Sequence, residues 1–382
     1  MKVLYDYQIY YLQNYGGVSN AFTQLIKNLP EEIDYELALC DSDNIHLRES
    51  RLKDVSPLGL VEDNFISKTN FKGRGFLFRN YTNLFPDRTS LGRNRQCSID
   101  ALKRGDFDVF HPTFYEDYFL SYLNGKPYVL TVHDMISELY GENFKGDIQK
   151  RNKYRLCKNA AHIIAVSDNT KNDLIRLFNV PEEKVTVIYH GAPEKKDYSV
   201  LPPIIKDRYF LYVGQRALYK LFNEMLINLI PVMEKHSDVK LVCTGPDFSQ
   251  EELKMIHTLK VDDKVIHLHP NDKDMFNLYS NALCFIYPSV YEGFGIPILE
   301  AYQAGCPVLL NNKSCFPEIA QDAAIYFNLD WQQSNLVEVT EKFLSMSESD
   351  REQLIARQNE RMRIYSWRES AKKMVDVYSS LL

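Results

Sequence analysis

Short apolar runs alternate along the chain with stretches whose apolar residues recur every three or four positions. That alternation is the pattern of parallel βα units. In the first half the spacing predicts strands at 3–5, 36–40, 109–111, 128–132, 162–166 and 185–188, each running into a polar or glycine-bearing loop. Helices are predicted over 18–28 and 148–159, and a third, capped by Ser167 or Asp168, runs through Leu177 and ends ahead of Pro181. A second set then starts afresh, with five strands at 209–213, 239–244, 265–268, 284–287 and 308–310. Between the sets, 193–207 is polar, carries Pro202-Pro203 and lacks periodicity, so it reads as a linker. The expectation is an α/β chain of two doubly wound, Rossmann-like domains, 1–192 and 208–364, facing a shared cleft. Ligands in such sheets bind outside the carboxyl ends of the strands.

Composition narrows this picture. A chain of 382 residues is too long for one ordinary α/β domain, and 45% hydrophobic with 25% charged residues is the balance of a protein that can bury two cores. The net charge of -6 argues against nucleic acid as the partner of the whole chain. Seven cysteines stand scattered without a CxxC pair, which points to reduced thiols rather than a disulfide framework or a metal knot. The amino-terminal residues turn polar too soon for a signal peptide, and no apolar run approaches the ~20 residues of a membrane span. A cytoplasmic location is expected.

Four segments carry candidate chemistry. Glu292-Gly293-Phe294-Gly295-Ile296-Pro297-Ile298-Leu299-Glu300 follows an apolar strand. Pro297 suits a first helical turn, so the Gly-Phe-Gly turn can aim backbone N–H groups at an anion with a helix N-terminus behind it. Glu292 precedes the turn and Glu300 lies on the helix, so one carboxylate can meet a sugar and the other a ribose. Val213-Gly214-Gln215-Arg216, with Lys220 four residues on, follows the strand at 209–213. Two cations at that spacing at a helix start lie on one face and can clamp a diphosphate. His133, in Thr131-Val132-His133-Asp134, stands at a strand's carboxyl end, where Asp134 could orient it. Gly16-Gly17, between the first strand and first helix, permit close backbone approach. Singly, each has a plain structural reading: a capping Glu, a solvated helix turn, a satisfied histidine, a common βα turn.

Taken together these segments resemble the retaining GT-B glycosyltransferases of family 4. The span 288–300 is similar to that family's Glu-x7-Glu motif, and Val-Gly-x-Arg followed by Lys is similar to its phosphate-binding segment, with Gln215 and Leu221 as small departures. Further matches are Val166-Ser167, Tyr189-His190-Gly191, Pro317-Glu318, Asp322-Ala323-Ala324 and Tyr365-Ser366-Trp367, with Gln321 where many relatives carry glycine. The resemblance covers almost the whole chain. It implies that Glu292 bonds the donor sugar, Glu300 the ribose, and the backbone around Gly293, Phe294, Gly295 and Ile296 the donor phosphates. It further implies that His133 contacts the sugar or assists the acceptor, that Gly16-Gly17 lie near phosphate and acceptor, and that 365–382 crosses back onto the first domain. In the family's proposed front-face mechanism the leaving phosphate takes the acceptor's proton, with no opposed carboxylate pair. No Asp-x-Asp follows a strand, so neither a metal nor another cofactor is expected. The donor implied is a nucleotide-diphospho-sugar, with a lean toward GDP-mannose over a UDP-sugar. The acceptor is a glycan or polyprenyl-diphosphate-linked glycan of polysaccharide assembly.

The region 68–104 is markedly basic, with Phe71, Phe76, Phe78, Tyr81 and Phe85 interleaved. Either it is a solvated face whose aromatics are core, or it is a peripheral contact with anionic lipid. Rival functions are a non-catalytic nucleotide-sugar-binding relative and a sugar-nucleotide epimerase. The first is disfavoured because Arg216, Lys220, Glu292, Glu300 and His133 are all present, and the second because no set of first-domain carboxylates stands out. A phosphorylase would need a far longer chain.

Overall fold

A computed structural model describes residues 1–66, 71–141, 148–193 and 202–382. Residues 194–201 of the expected linker, and Lys68 of the basic region, lie outside the described residues. The chain divides into two compact units.

The first unit comprises Met1–Val166, Thr170–His190 and Trp367–Leu382. Its strands are β1 (Lys2–Asp6), β2 (Asp34–Ala38), β3 (Val109–His111), β4 (Val129–Val132), β5 (His162–Ala165) and β6 (Val185–Val187). They form two parallel ladders, β2-β1-β3 and β4-β5-β6, joined by the bridge between Phe110 and Tyr128. Val3, Leu4, Tyr5, Val129 and Leu130 are buried, as expected of parallel strands covered on both faces. The helix Trp367–Ser379 belongs to this unit because its inner face carries polar hooks as well as apolar bulk. Tyr378 shares hydrogen bonds with His111 Nδ1 at 2.6 Å and with the Tyr5 hydroxyl at 3.0 Å, and Ser370 Oγ donates to the Tyr189 carbonyl at 2.6 Å.

At the carboxyl end of β1 the buried Asp6 ties two loops together. Its carboxylate accepts from Thr113 N–H (2.9 Å), Thr113 Oγ1 (2.7 Å), Gln8 Nε2 (2.7 Å) and Tyr118 Oη (3.0 Å). These donors, with the Gln8 N–H at 3.4 Å, compensate a carboxyl whose burial pushes its pKa up. They fix the segment that leads to the helix Gly17–Lys27.

The second unit comprises Ser167–Asn169 and Gly191–Ser366. Its strands are β7 (Arg208–Tyr212), β8 (Val239–Thr244), β9 (Val265–Leu268), β10 (Cys284–Tyr287), β11 (Val308–Asn311) and β12 (Ile325–Phe327), all parallel, in the order β12-β11-β10-β7-β8-β9. The sequence predicted five strands here and the structure has a sixth, β12. Three residues pairing with Leu309–Asn311, two of them half-buried, are too short a run to show periodicity. Counted within the unit, the order is 3-2-1-4-5-6, the doubly wound arrangement whose direction reverses between its first and fourth strands. Those are β7 and β10, paired through Cys284–Phe210 and Phe285–Leu211. The amphipathic helix Phe222–Lys235 packs Met225, Leu226, Leu229 and Val232 against this sheet.

Candidate active site

In the second unit the reversal point places two loops side by side, one after β7 and one after β10. These hold the residues singled out by sequence. Gly295, at φ +91°, has a left-handed backbone that favours glycine, and a Cβ there would sit 3.1 Å from Ile298 Cδ1. The helix Ile296–Gln303 starts directly after it with Pro297 in the first turn. Pro297 has no N–H, and Ile298 N–H donates to the Gly295 carbonyl at 2.9 Å; a helix start of this kind carries the positive end of the helix dipole. Phe294 anchors the turn by burying its ring edge-to-face against Tyr365 at 5.7 Å.

Glu292 is held from both sides. Its N–H donates to Ser314 Oγ at 3.2 Å, and the Ser314 hydroxyl donates back to the Glu292 carbonyl at 2.8 Å. Its carboxylate accepts a hydrogen bond from Lys220 Nζ, and the side chains of this pair are only 15% and 11% exposed. Glu300 accepts from Tyr279 Oη at 3.1 Å, and burial pushes its carboxyl pKa up.

Arg216 and Lys220 do not share a helix face. Leu218–Lys220 is a single 3-10 turn, Leu221 follows at φ +47°, and the long helix begins at Phe222. The three-to-four spacing of a helix therefore does not apply, and each cation meets a different carboxylate. Arg216 Nε donates to Glu252 Oε1 at 2.7 Å, and Nη2 donates to the carbonyls of Pro246 (2.6 Å) and Asp247 (2.8 Å). Its guanidinium lies over the Phe248 ring at 4.5 Å. Only Nη1 is buried without a hydrogen-bond partner. An open pocket of about 420 Å³ adjoins Arg216, bounded by Leu218, Asn223, Pro246 and Glu252, and neither Glu292 nor Glu300 lines it.

Sequence reasoning missed Glu252, Ser314 and Tyr279. Ser249 and Glu252 do form a capping box, with Ser249 N–H donating to Glu252 Oε2 at 2.7 Å, and that spacing was a readable signal for a helix start. Nothing local, however, tells which cation such a Glu will meet.

In the first unit His133 follows β4. Its N–H donates to Tyr115 Oη at 3.2 Å, and its ring packs on Phe22 at 5.8 Å and stacks on His190 at 6.1 Å. Burial pushes the His133 pKa down to about 3, so the imidazole is neutral near pH 7. Its Nε2 is buried and meets no hydrogen-bond partner. Asp134 takes a different part from the expected one: Oδ1 accepts from Ile136 N–H at 3.0 Å, while Lys153 holds the Asp134 carbonyl at 3.2 Å. Gly16 stands extended ahead of the helix Gly17–Lys27, and Ser19 N–H in the first turn is taken by Gln13 Oε1 at 3.1 Å.

Comparison with known proteins bears on the family and the fold. Residues 15–196 match the profile described as Glycosyltransferase Family 4, and residues 195–361 match the one described as Glycosyl transferases group 1. The chain belongs to the family 4 glycosyltransferases. It is 31% identical over 207 residues to the O-antigen chain mannosyltransferase RfbU of Salmonella typhimurium, a match covering 54% of this chain and 58% of that protein. To the O-antigen chain mannosyltransferase B of Escherichia coli it is 26% identical over 349 residues, covering 86% of this chain and 88% of the other. The crystal structure of Anabaena Alr3699/HepE in complex with UDP and glucose superposes with a TM-score of 0.71 over the whole of both chains at 15% identity. That likeness establishes the fold as GT-B. Among the described residues of this family 4 member, no helix is long and apolar enough to cross a membrane.

Proposed function

We propose that the protein is a retaining glycosyltransferase that moves a sugar, mannose foremost, from a nucleotide-diphospho-sugar to a glycan or polyprenyl-diphosphate-linked glycan. One observation carries the reading. At the strand-order reversal of the second unit, Lys220 pairs with Glu292 beside a helix N-terminus, and Arg216 keeps one buried N–H group unpartnered. A diphosphate supplies the acceptors that this arrangement lacks. The relatives named for O-antigen chain mannosyl transfer support mannose as the sugar.

In the proposed reaction the anomeric C–O bond breaks and its electron pair leaves with the diphosphate. The acceptor hydroxyl bonds to the anomeric carbon on the same face, and its proton passes to the departing phosphate. Arg216, Lys220 and the N–H groups of Phe294, Gly295 and Ile296 stabilise the charge that develops, while Glu292 positions the sugar and Glu300 the ribose. His133, being neutral, presents Nε2 as a hydrogen-bonding group rather than a charge. No divalent metal or other cofactor is required for transfer in this scheme.

The acceptor side draws on the basic region. Phe78 is buried and Tyr81 half-buried, but Phe71, Phe76, Leu77, Leu84 and Phe85 are exposed, with Lys72, Arg79 and Arg88 exposed among them. Apolar side chains set among cations suit the surface of an anionic bilayer, where a lipid-linked acceptor would be met on the cytoplasmic face. Flotation with anionic vesicles at low salt tests this surface, and absence of binding refutes it.

A thermal-shift panel with GDP, UDP, dTDP, CDP and ADP, with and without Mg²⁺, tests the donor class. Stabilisation by one diphosphate, independent of Mg²⁺ and lost in Arg216→Ala, is the expected result. No stabilisation by any of them would move the assignment to a non-catalytic relative.

A further inference from the structure

We propose that Asp247, His267 and His269 form a binding site for a borderline divalent transition metal of the zinc class. The proposal stands on geometry in the second unit and is independent of the donor assignment. One nitrogen or oxygen atom from each of the three residues lies within 4.8 Å of the others. The fold explains the convergence. His267, near the end of β9, and His269, just beyond it, are two residues apart in extended chain and so point to the same side. Their rings meet edge-on at 4.7 Å. β8 pairs with β9 through Cys243–His267 and Thr244–Leu268, so the loop leaving β8 runs alongside. Gly245 turns that loop at φ +110°, a position where a Cβ would lie 2.4 Å from the Gly214 carbonyl oxygen. Asp247 is thereby delivered to the two histidines.

The hydrogen bonding supplies a second, separate argument. His267 Nε2 faces the Gly245 carbonyl at 3.2 Å, and a carbonyl can only accept, so Nε2 carries the proton. In the tautomer with the proton on Nε2, the lone pair of Nδ1 faces Asp247 Oδ1, 3.9 Å away. Two electron-pair donors facing one another across that gap are complementary to a cation. A backbone carbonyl fixing the far nitrogen is also the usual outer partner of a metal-bound histidine. His269 Nε2 lies 2.8 Å from the same Oδ1. Ligands of a tetrahedral zinc stand about 3.3 Å apart for bonds of about 2.0–2.1 Å, a value between the two separations. Two imidazoles and one carboxylate favour zinc and its neighbours over Mg²⁺ or Ca²⁺, which prefer oxygen throughout. The Asp247 and His269 side chains are 86% and 64% exposed, leaving further coordination positions to water. The loop that would hold the ion also holds Arg216 through the Asp247 carbonyl, and Phe248 packs against both the guanidinium (4.5 Å) and the His267 ring (5.0 Å).

The test is titration of Zn²⁺ into the metal-free full chain in competition with a chromophoric chelator. It is run on a Cys40→Ser background, because Cys40 is an exposed thiol. One equivalent of Zn²⁺ is expected per chain, with His269→Gln, His267→Gln and Asp247→Asn each weakening binding by ~10-fold or more. Circular dichroism checks that the variants keep the fold. His269→Gln and Asp247→Asn alter exposed side chains, and the latter keeps the carbonyl that holds Arg216. Co²⁺ in the same site is expected to show ligand-field bands without a thiolate charge-transfer band. Absence of stoichiometric binding, or equal binding by wild type and His269→Gln, overturns the proposal.

Discussion

Glu292→Gln separates the two tasks that the proposed donor site gives to one carboxylate. Without ligand, Glu292 neutralises Lys220 in a setting where both side chains are mostly buried. Opposite charges ~4 Å apart at an effective dielectric of ~20 attract by about 4 kcal/mol before desolvation is counted. A charge-assisted hydrogen bond keeps roughly 1.5–3 kcal/mol of that as a net contribution. To recruit Lys220, a nucleoside diphosphate without its sugar would have to give up this amount and also approach the negative Glu292, so in the wild type it leaves the pair closed. Replacing the carboxylate by an amide of the same shape removes both penalties while retaining a polar partner for the sugar. Since 1.4 kcal/mol corresponds to tenfold, free GDP, or whichever diphosphate the panel selects, is expected to bind Glu292→Gln about 10- to 100-fold more tightly by calorimetry. Transfer from the intact donor is expected to fall on the order of 10²-fold, because the amide positions the sugar less firmly at the point where charge develops. Weaker or unchanged diphosphate binding by the variant would refute the idea that Lys220 changes partners.

Arg216→Ala is expected to cost about 2–3 kcal/mol of stability in urea unfolding, because it strips the partners from Glu252 and two carbonyls. Its transfer rate is expected to drop ~10²-fold or more; a loss of under ~1 kcal/mol in stability would contradict the tethering. Gln321→Gly is expected to stabilise by roughly 0.5–1 kcal/mol, since Gln321 is an exposed residue held at φ +47°; a lowered urea midpoint would be the contrary result. His111, His133 and His190 have pKa values pushed down to about 3 by burial, so the folded first unit keeps them neutral while the unfolded chain protonates them below about pH 6.5. Their contribution is complete above about pH 6.5 and is lost as pH falls toward about 3, by ~1.4 kcal/mol per pH unit for each histidine. Asp6 and Glu116, raised by burial, oppose it in part. The urea midpoint of the first unit is expected to fall between about pH 7.5 and about pH 5, and a rise over that interval would refute the assignment.

What the sequence made legible follows from how local each signal is. Central strands such as β4 and β10 are almost wholly apolar because helices cover both faces, and they stand where periodicity puts them to within a residue. The glycine turn at 293–295 and the first-turn Pro297 likewise depend on neighbours in sequence alone. The rest depends on partners far away. Glu252 reaches Arg216 across 36 positions, and Glu292 reaches Lys220 across 72, so no window around either cation reveals that it is engaged. Leu221 is the sharpest case. It stands at φ +47° with its side chain fully buried in the core beneath the sheet, so burial overrides the backbone preference that a glycine or asparagine would satisfy. That one residue turns the expected helical pair into a loop arginine and a lysine on a separate turn.

The same geometry bears on how the proposed chemistry obtains its selectivity for the transition state. Before a donor arrives, two cations face two carboxylates, Arg216 with Glu252 and Lys220 with Glu292, and the charges balance. Uniform attraction for any diphosphate would lower KM without accelerating transfer. Here Arg216 stays bound to Glu252 and to two carbonyls, so it offers a fixed Nη1 N–H whose placement costs no reorganisation during the reaction. Lys220 is different, since its single strong partner is the residue assigned to the sugar. In the proposed reaction, when Glu292 turns to the donor hydroxyls, Lys220 is released toward the diphosphate at the stage when that group gains charge. A donor analogue lacking the sugar hydroxyls would leave Glu292 on Lys220 and forfeit the second cation. Such an analogue is therefore expected to lose turnover more than affinity, and an equal loss in both would show that Lys220 is committed to the phosphates from the start.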